Sequence, residues 1–280
     1  MSKIRSIGKI VSGKNAVDGA GVKLVRVIGE RDTADFDPFL MMDAFDSVNP
    51  SDYVKGFPWH PHRGIETITY LLQGDIEHGD SLGNKGSILD GECQWMTAGS
   101  GIIHQEMPKP SERMLGVQLW LNLPAKDKMV PPKYHPITAA EIPVVDEGDK
   151  KIHIIAGSYN GTKGATDGDY VKPLYFDVEM KPGSKWSLDV DSDATLFIYI
   201  LQGEGRFGPD GGDVVAAKQA VLFDEGDIFQ AKASGASLRF LLLAGRALKE
   251  PIAWGGPVVM NTREELELAF KELDENTFIK

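Results

Sequence analysis

"TYLLQGDIEHGDSLGNKGSILDGECQWMTAGSGII", Thr69 to Ile103, decides the fold because the chain carries its plan twice. From Ile198, "IYILQGEGRFGPDGGDVVAAKQAVLFDEGDIFQ" follows the same order. Each copy has a strand ending in LQG, an acidic residue, a turn, a second strand pair, and a glycine before a further apolar run. The tripeptides Leu72–Gly74 and Leu201–Gly203 lie 129 residues apart (203 − 74), close to half of the 280-residue chain. That spacing exceeds the periods of solenoids and propellers. It predicts two copies of one all-β domain.

The rest of the chain reads the same way. "ETITYLLQ" (Glu66 to Gln73), "GVQLWLNL" (Gly116 to Leu123), "YFDVEM" (Tyr175 to Met180), "ATLFIYILQ" (Ala194 to Gln202) and "LRFLLLAG" (Leu238 to Gly245) are short runs rich in β-branched, aromatic and leucine residues. Gly, Pro, Asp or Asn bound them, so they are expected strands. One helix is expected. It opens at Asn261 or Thr262, good N-cap residues, and places Leu266, Ala269, Phe270 and Leu273 on one face. "MVPPKYHPITAAEIPVVDEGDKK" (Met129 to Lys151) is rich in Pro and charge and reads as a linker. The expected division is residues 1–130 as one barrel with the chemistry, and 131–280 as a second barrel plus the C-terminal helix.

The composition excludes several classes. A net charge of −11 without a basic run argues against direct nucleic-acid contact, which needs clustered Lys and Arg. No stretch approaches the ~20 apolar residues of a membrane span. The single cysteine, Cys93, permits no intramolecular disulfide. The first residues lack an apolar signal-peptide core. The expectation is a cytoplasmic protein, with Cys93 buried as structure.

The candidate chemistry sits in two short motifs. "HPH" gives His60 and His62; "HQE" gives His104 and Glu106. On an extended strand residues i and i+2 share a face. Two same-face pairs on neighbouring strands can therefore converge on one point. Three imidazoles and a carboxylate suit Fe(II), Mn, Ni, Co, Cu or Zn. The bland alternative is a set of solvated polar residues at strand ends. The order of the motifs favours the metal: H-x-H, three residues, Glu66, a strand, Gly74, a glycine-rich turn, then His104 and Glu106. This is the two-motif order of cupin barrels. Counting back from the second LQG puts Asp189 and Asp191 at the places of His60 and His62, and "GDIFQAKA" there has no His or Glu after Gly226. The second barrel is expected to lack the ligand set. His78 reads as a turn residue beside Asp80, His135 and His153 as structural, and Trp95 and Met96 as barrel lining or core.

"HPHRGIETITYLLQG", "EHGDSLGN", "QWMTAGSGIIHQEMP", "DPFLMMDAF" and "NTREELELAFKEL" together resemble the signature stretches of the pirin family. The resemblance implies a bicupin, two cupin β-barrels in one chain. It implies one metal ion, usually iron, in the N-terminal barrel, bound through residues matching His60, His62, His104 and Glu106. Glu66 matches the usual cupin ligand glutamate, whereas the pirin pattern uses Glu106; this leaves Glu66 either as a group beside the ligands or as an alternative ligand. Several bacterial pirins resemble quercetin 2,3-dioxygenases. The implied reaction is cleavage of a flavonol by O2, with Glu106 taking the flavonol hydroxyl proton. Other pirins resemble iron-dependent sensors that bind a protein partner without turnover, which is the alternative expectation.

Overall fold

A computed structural model describes residues 2–280. The chain forms two compact units, and neither is continuous in sequence. One comprises Lys14–Thr33, Phe39–Ala139 and Leu248–Lys280; the other comprises Met1–Gly13, Ala34–Pro38 and Ala140–Ala247. A single cut at residue 130 therefore does not describe them. Hydrogen bonding is the reason. Ile7–Ser12 pairs with Gln219–Phe223 in the second unit's sheet, and the C-terminal helix packs on Val258–Met260, which belongs to the first unit. The expected linker is also structured. Lys133–Ile137 is the edge strand beside Cys93–Thr97, and Val144–Asp146 is the edge strand beside Lys150–Ala156.

The first unit stacks a seven-stranded antiparallel sheet and a four-stranded one. The large sheet runs Lys133–Ile137, Cys93–Thr97, Ile65–Gln73, Met114–Asn122, Phe39–Ser47, Val22–Ile28, Lys14–Asp18. The small sheet runs Phe57–His62, Ile102–Pro108, Ile76–Asp80, Lys85–Ile88. The second unit repeats both orders. Its large sheet is Ile7–Ser12, Gln219–Phe223, Ala194–Gln202, Leu238–Arg246, Leu174–Met180, Lys150–Ala156, Val144–Asp146. Its small sheet is Lys185–Asp189, Ile228–Ala233, Glu204–Phe207, Asp213–Ala216. All five strands expected from alternation are present, within two residues at each end.

The cores differ. In the second unit Trp186, Phe207, Phe223, Phe229 and Phe240 join Val, Ile and Leu side chains in one cluster, with Phe223 and Phe229 rings 5.2 Å apart. In the first unit the buried apolar residues fall into separate groups, one around Leu71, Phe45 and Met114 and another around Met96, Trp120 and Ile102. The material between them is polar. Asp43, Thr67, Thr69, Gln94, His104, Glu106 and Gln118 are all buried there. Buried polar side chains cost stability unless they find partners, so this band needs a reason.

The C-terminal helix spans Arg263–Asp274. Thr262 caps it: its hydroxyl accepts from the Glu265 N–H at 3.2 Å, and Glu265 accepts from the Thr262 N–H at 3.0 Å. This is a capping box, which fixes the helix start. Ala269 is buried against Val258, Met260 and Phe278, with Leu266 and Leu273 flanking. Among the described residues no helix is long and apolar enough to cross a membrane.

Candidate metal centre

Two neighbouring strands bring the three imidazoles together. In the antiparallel pair of Phe57–His62 with Ile102–Pro108, His60 is directly opposite His104 and His62 is opposite Ile102. Opposite residues share a face. Ile102–Pro108 alternates buried and half-buried, with Ile102, His104 and Glu106 on the inner side. The ring centroids are 4.3 Å apart for His60–His104, 4.8 Å for His60–His62 and 5.1 Å for His62–His104. One ring nitrogen from each of the three lies within 4.8 Å of the others.

Two of these rings have one nitrogen already committed. His60 Nδ1 lies 2.9 Å from the Pro58 carbonyl, and His62 Nδ1 lies 3.0 Å from the Pro257 carbonyl. A carbonyl only accepts, so in its neutral form each ring donates from Nδ1 and keeps its Nε2 lone pair. Outer hydrogen bonds of this type orient metal-binding histidines. His104 is different. It is 2% exposed, and neither ring nitrogen has a hydrogen-bond partner. An orphaned buried polar group costs about 1–3 kcal/mol. A metal ion at the centre of the three rings would remove that cost, so the donor set fits one. Burial also disfavours the charged form of His62 and His104. It pushes the His62 pKa down to about 3, helped by His60, and pushes His104 well below the ordinary value. Neutral imidazole is the form that binds a metal.

Glu106 occupies the next inward position on the His104 strand but stands outside the three-histidine group. Its Oε1 accepts from the Thr69 hydroxyl at 3.1 Å and its Oε2 from the Gln118 amide at 3.3 Å. Burial raises its pKa; nearby His60 and the two hydrogen bonds oppose that. Both partners come from one polar row across the large sheet. Gln94, Thr69, Gln118, Asp43 and Arg26 are successive cross-strand neighbours. The polar band in the first unit is therefore a ladder facing Glu106. Arg26 ends it with a bidentate pair to Asp43 at 2.9 and 2.8 Å and a further bond to Asp18 at 2.7 Å.

A cleft of about 630 Å³ opens onto His60, His62, Glu106 and Gln118. Trp120 and Trp254 line it and are stacked, 5.6 Å apart at 28°. Met41 and Phe57 add apolar wall; Asp18 and Arg26 add charge. This is the size and character of a small-molecule site.

Glu66 points elsewhere. Thr67 and Thr69 share a face of Ile65–Gln73, so Glu66 lies on the other. Its Oε1 accepts from the Thr97 hydroxyl at 2.7 Å. Trp95 shares that opposite face, paired with Ile68, while Met96, paired with Thr67, does face the centre. His78 is not in a turn. It lies on Ile76–Asp80 directly opposite Glu106, is buried, and is hydrogen-bonded to the Tyr134 hydroxyl. His135 is half-buried, and His153 pairs with Glu179 at 3.2 Å. Cys93 is buried, and burial pushes its thiol pKa up, away from reactive thiolate.

The second unit holds no such site at the matching positions. Its inward residues there are Trp186 and Leu188 on one strand and Phe229, Ala231 and Ala233 on the next. Asp189 and Asp191 are not the counterparts. From His62 to strand residue Ile65 is three steps; from Leu188 to strand residue Ala194 is six. A constant count back from LQG therefore slips by three, an odd number that also reverses the face. Asp191 instead pairs with Arg246 at the surface.

Thr69, Gln118, Trp120 and Asp43 escaped the sequence reading. Their signal was parity: Gln118 and Trp120 are i and i+2 on one strand, a polar residue at an inward position of an apolar run. Trp254 and Pro257 had no local signal at all.

Paired seven- and four-stranded sheets, repeated once, with a histidine centre among the described residues of the first copy, define a bicupin. Residues 21–121 match the family model described as pirin, and residues 175–279 match the pirin C-terminal cupin domain. The chain belongs to the pirin family. It is 43% identical over 278 residues to a pirin-like protein of Caulobacter vibrioides, covering 98% of this chain and 99% of that one. It is 42% identical over 279 residues to a Pseudomonas aeruginosa protein provisionally named quercetin 2,3-dioxygenase, covering 97% of each. The crystal structure of a quercetin 2,3-dioxygenase from Acinetobacter baumannii superposes with a TM-score of 0.89 at 31% identity, covering 98% of both chains.

Proposed function

We propose that the protein is a metal-dependent dioxygenase that cleaves a flavonol with O2, in the manner of quercetin 2,3-dioxygenases. One observation carries the proposal: the aromatic-walled cleft ends on His60, His62 and the buried Glu106 carboxylate, and His104 completes the three-imidazole group behind them. His60, His62 and His104 hold a divalent metal, with Glu106 as the fourth protein ligand or, when substrate enters, its base. Fe(II) is the family's usual ion, and Ni, Mn, Co, Cu and Zn suit the same donors. When bound, the metal supplies a Lewis acid for the flavonol's 3-hydroxyl and 4-carbonyl oxygens.

The chain's own groups do the rest. Trp120 and Trp254 present flat apolar surface to a planar ring system. Glu106 accepts the 3-hydroxyl proton, and its burial makes it a stronger base than a solvated carboxylate. Thr69 and Gln118 hold that carboxylate in place from the opposite sheet. The test is aerobic turnover of quercetin by protein loaded in turn with Fe, Ni, Co, Mn and Cu. Loss of flavonol absorbance only with oxygen, with carbon monoxide released, is the expected result. No turnover with any of the five ions sinks the proposal. A spectral shift without loss would make the site a binding site and return the sensor reading.

A further inference from the structure

The last thirty-odd residues do more than cover the first unit. His62 Nδ1 is held by the carbonyl of Pro257, which lies between the short strands Ala253–Gly255 and Val258–Met260. That hairpin is fastened to the two residues that follow His62. The Val259 N–H donates to the Arg63 carbonyl at 3.1 Å. Lys128 Nζ, itself buried, donates to the Gly64 carbonyl at 2.7 Å and to the Val259 carbonyl at 2.8 Å. Gly64 has φ +79°, and a Cβ there would sit 2.0 Å from the Val259 oxygen. Only glycine permits that approach.

Arg63 extends the fastening to the C-terminal tail. Its side chain is 1% exposed. Its Nε donates to the Ser100 carbonyl at 2.7 Å and one terminal nitrogen to the Phe278 carbonyl at 2.8 Å. The other pairs with Glu272 at 2.7 Å, and the Phe278 ring lies 4.1 Å from the guanidinium. Gly101, three residues before His104, completes the fit, since a Cβ there would meet the Phe278 carbonyl at 2.8 Å. The strand ends that carry His62 and His104 are thus clamped by one segment from the far end of the chain.

We infer that the segment from Pro257 to Phe278 is a positioning element of the metal centre, and that Arg63, Glu272 and Phe278 are the positioning residues that keep the Pro257 carbonyl on His62. Held so, the His62 ring keeps its proton on Nδ1 and turns Nε2 to the centre. The inference rests on the metal-centre reading for its consequence, and on the hydrogen bonds alone for its mechanism.

The test uses the full-length protein. Nitrogen-15 NMR of the histidine rings in metal-free protein reads the His62 tautomer, and chelator competition reads Ni(II) affinity. Wild type should show a single Nδ1–H tautomer. Phe278→Ala should leave His62 in mixed tautomers and weaken Ni(II) binding about 10- to 100-fold, the usual cost of a lost outer partner. Glu272→Gln should move both readouts the same way by less. Phe229→Ala, which disturbs the other unit's core, should leave both unchanged. If Phe278→Ala does not fold, Glu272→Gln decides. Folded variants with an unaltered tautomer and unaltered affinity overturn the inference. Should wild type bind no Ni(II), the metal reading fails, and the tautomer alone still judges the clamp.

Discussion

At the inward positions of two corresponding strand pairs, one unit carries His60, His62, His104 and Glu106, and the other carries Trp186, Leu188, Phe229, Ala231 and Ala233. The sheet orders around them are the same. What differs is how each interior satisfies its side chains. The second unit does it with apolar contact: Phe229 lies within 6.3 Å of the rings of Trp186, Phe207, Phe223 and Phe240. The first does it with hydrogen bonds and leaves His104 unsatisfied. The architecture tolerates either filling. A site therefore costs stability that a packed interior would supply, and that cost is the signature of function.

The largest effect that would break this contrast is at His104. His104→Leu should abolish metal binding by chelator competition, while Asp189→Ala leaves it unchanged. The same His104 variant, metal-free, should be more stable to urea by about 1–3 kcal/mol, because two orphaned ring nitrogens disappear. Retained metal would show that the three imidazoles are not the ligands. Next is Glu106→Gln. It keeps shape and both hydrogen-bonding partners but removes the base, so kcat for the flavonol should fall about 10²- to 10⁴-fold. An unchanged kcat would put the proton elsewhere.

In the other unit, Phe229→Ala should cost about 3–5 kcal/mol in denaturant unfolding, as deletion of a fully buried ring does. A cost near zero would mean that its interior is not the tight filling that the ring contacts describe. The smallest effect is on pH dependence. His62 and His104 have native pKa values far below the ordinary 6.5, about 3 for His62, so unfolding takes up protons across that range. Metal-free protein should lose stability as pH falls from about 6.5 towards 3. Glu106 is shifted the other way, so its neutral form stabilises the native state on acidification and offsets part of the loss. Glu106→Gln should therefore steepen the acid slope in chemical unfolding, and a shallower slope would contradict the assigned direction.

Much of the candidate site was legible because it is local. His60 with His62, and His104 with Glu106, each sit within three residues on one strand, and alternation alone puts each pair on one face. The repeat was legible because Leu72–Gly74 and Leu201–Gly203 end equivalent strands. The failures have a common physical source. The role of Glu66 stayed open because the face a residue takes cannot be read from a strand buried on both sides, as Ile65–Gln73 is. Asp189 and Asp191 were misaligned because a connection three residues longer leaves no mark in the strand pattern. Pro257 reaches His62 across 195 residues and Phe278 reaches Arg63 across 215, and no periodicity encodes contacts of that range.

The exchange of terminal segments has a consequence for synthesis. Ile7–Ser12 is made more than two hundred residues before its strand partner Gln219–Phe223. The barrel with the three histidines, whose sheets lie in the first half of the chain, lacks Pro257 and Phe278 until those residues are made. The second barrel's edge pair forms only once Phe223 has been made, and the first barrel's clamp only once Phe278 has; such long-range pairings close slowly. A metal held by His60, His62 and His104 would meet the clamped geometry only after that. Expressing residues 1–130 alone would yield a barrel without the clamp on His62 and with an N-terminal strand that has no partner.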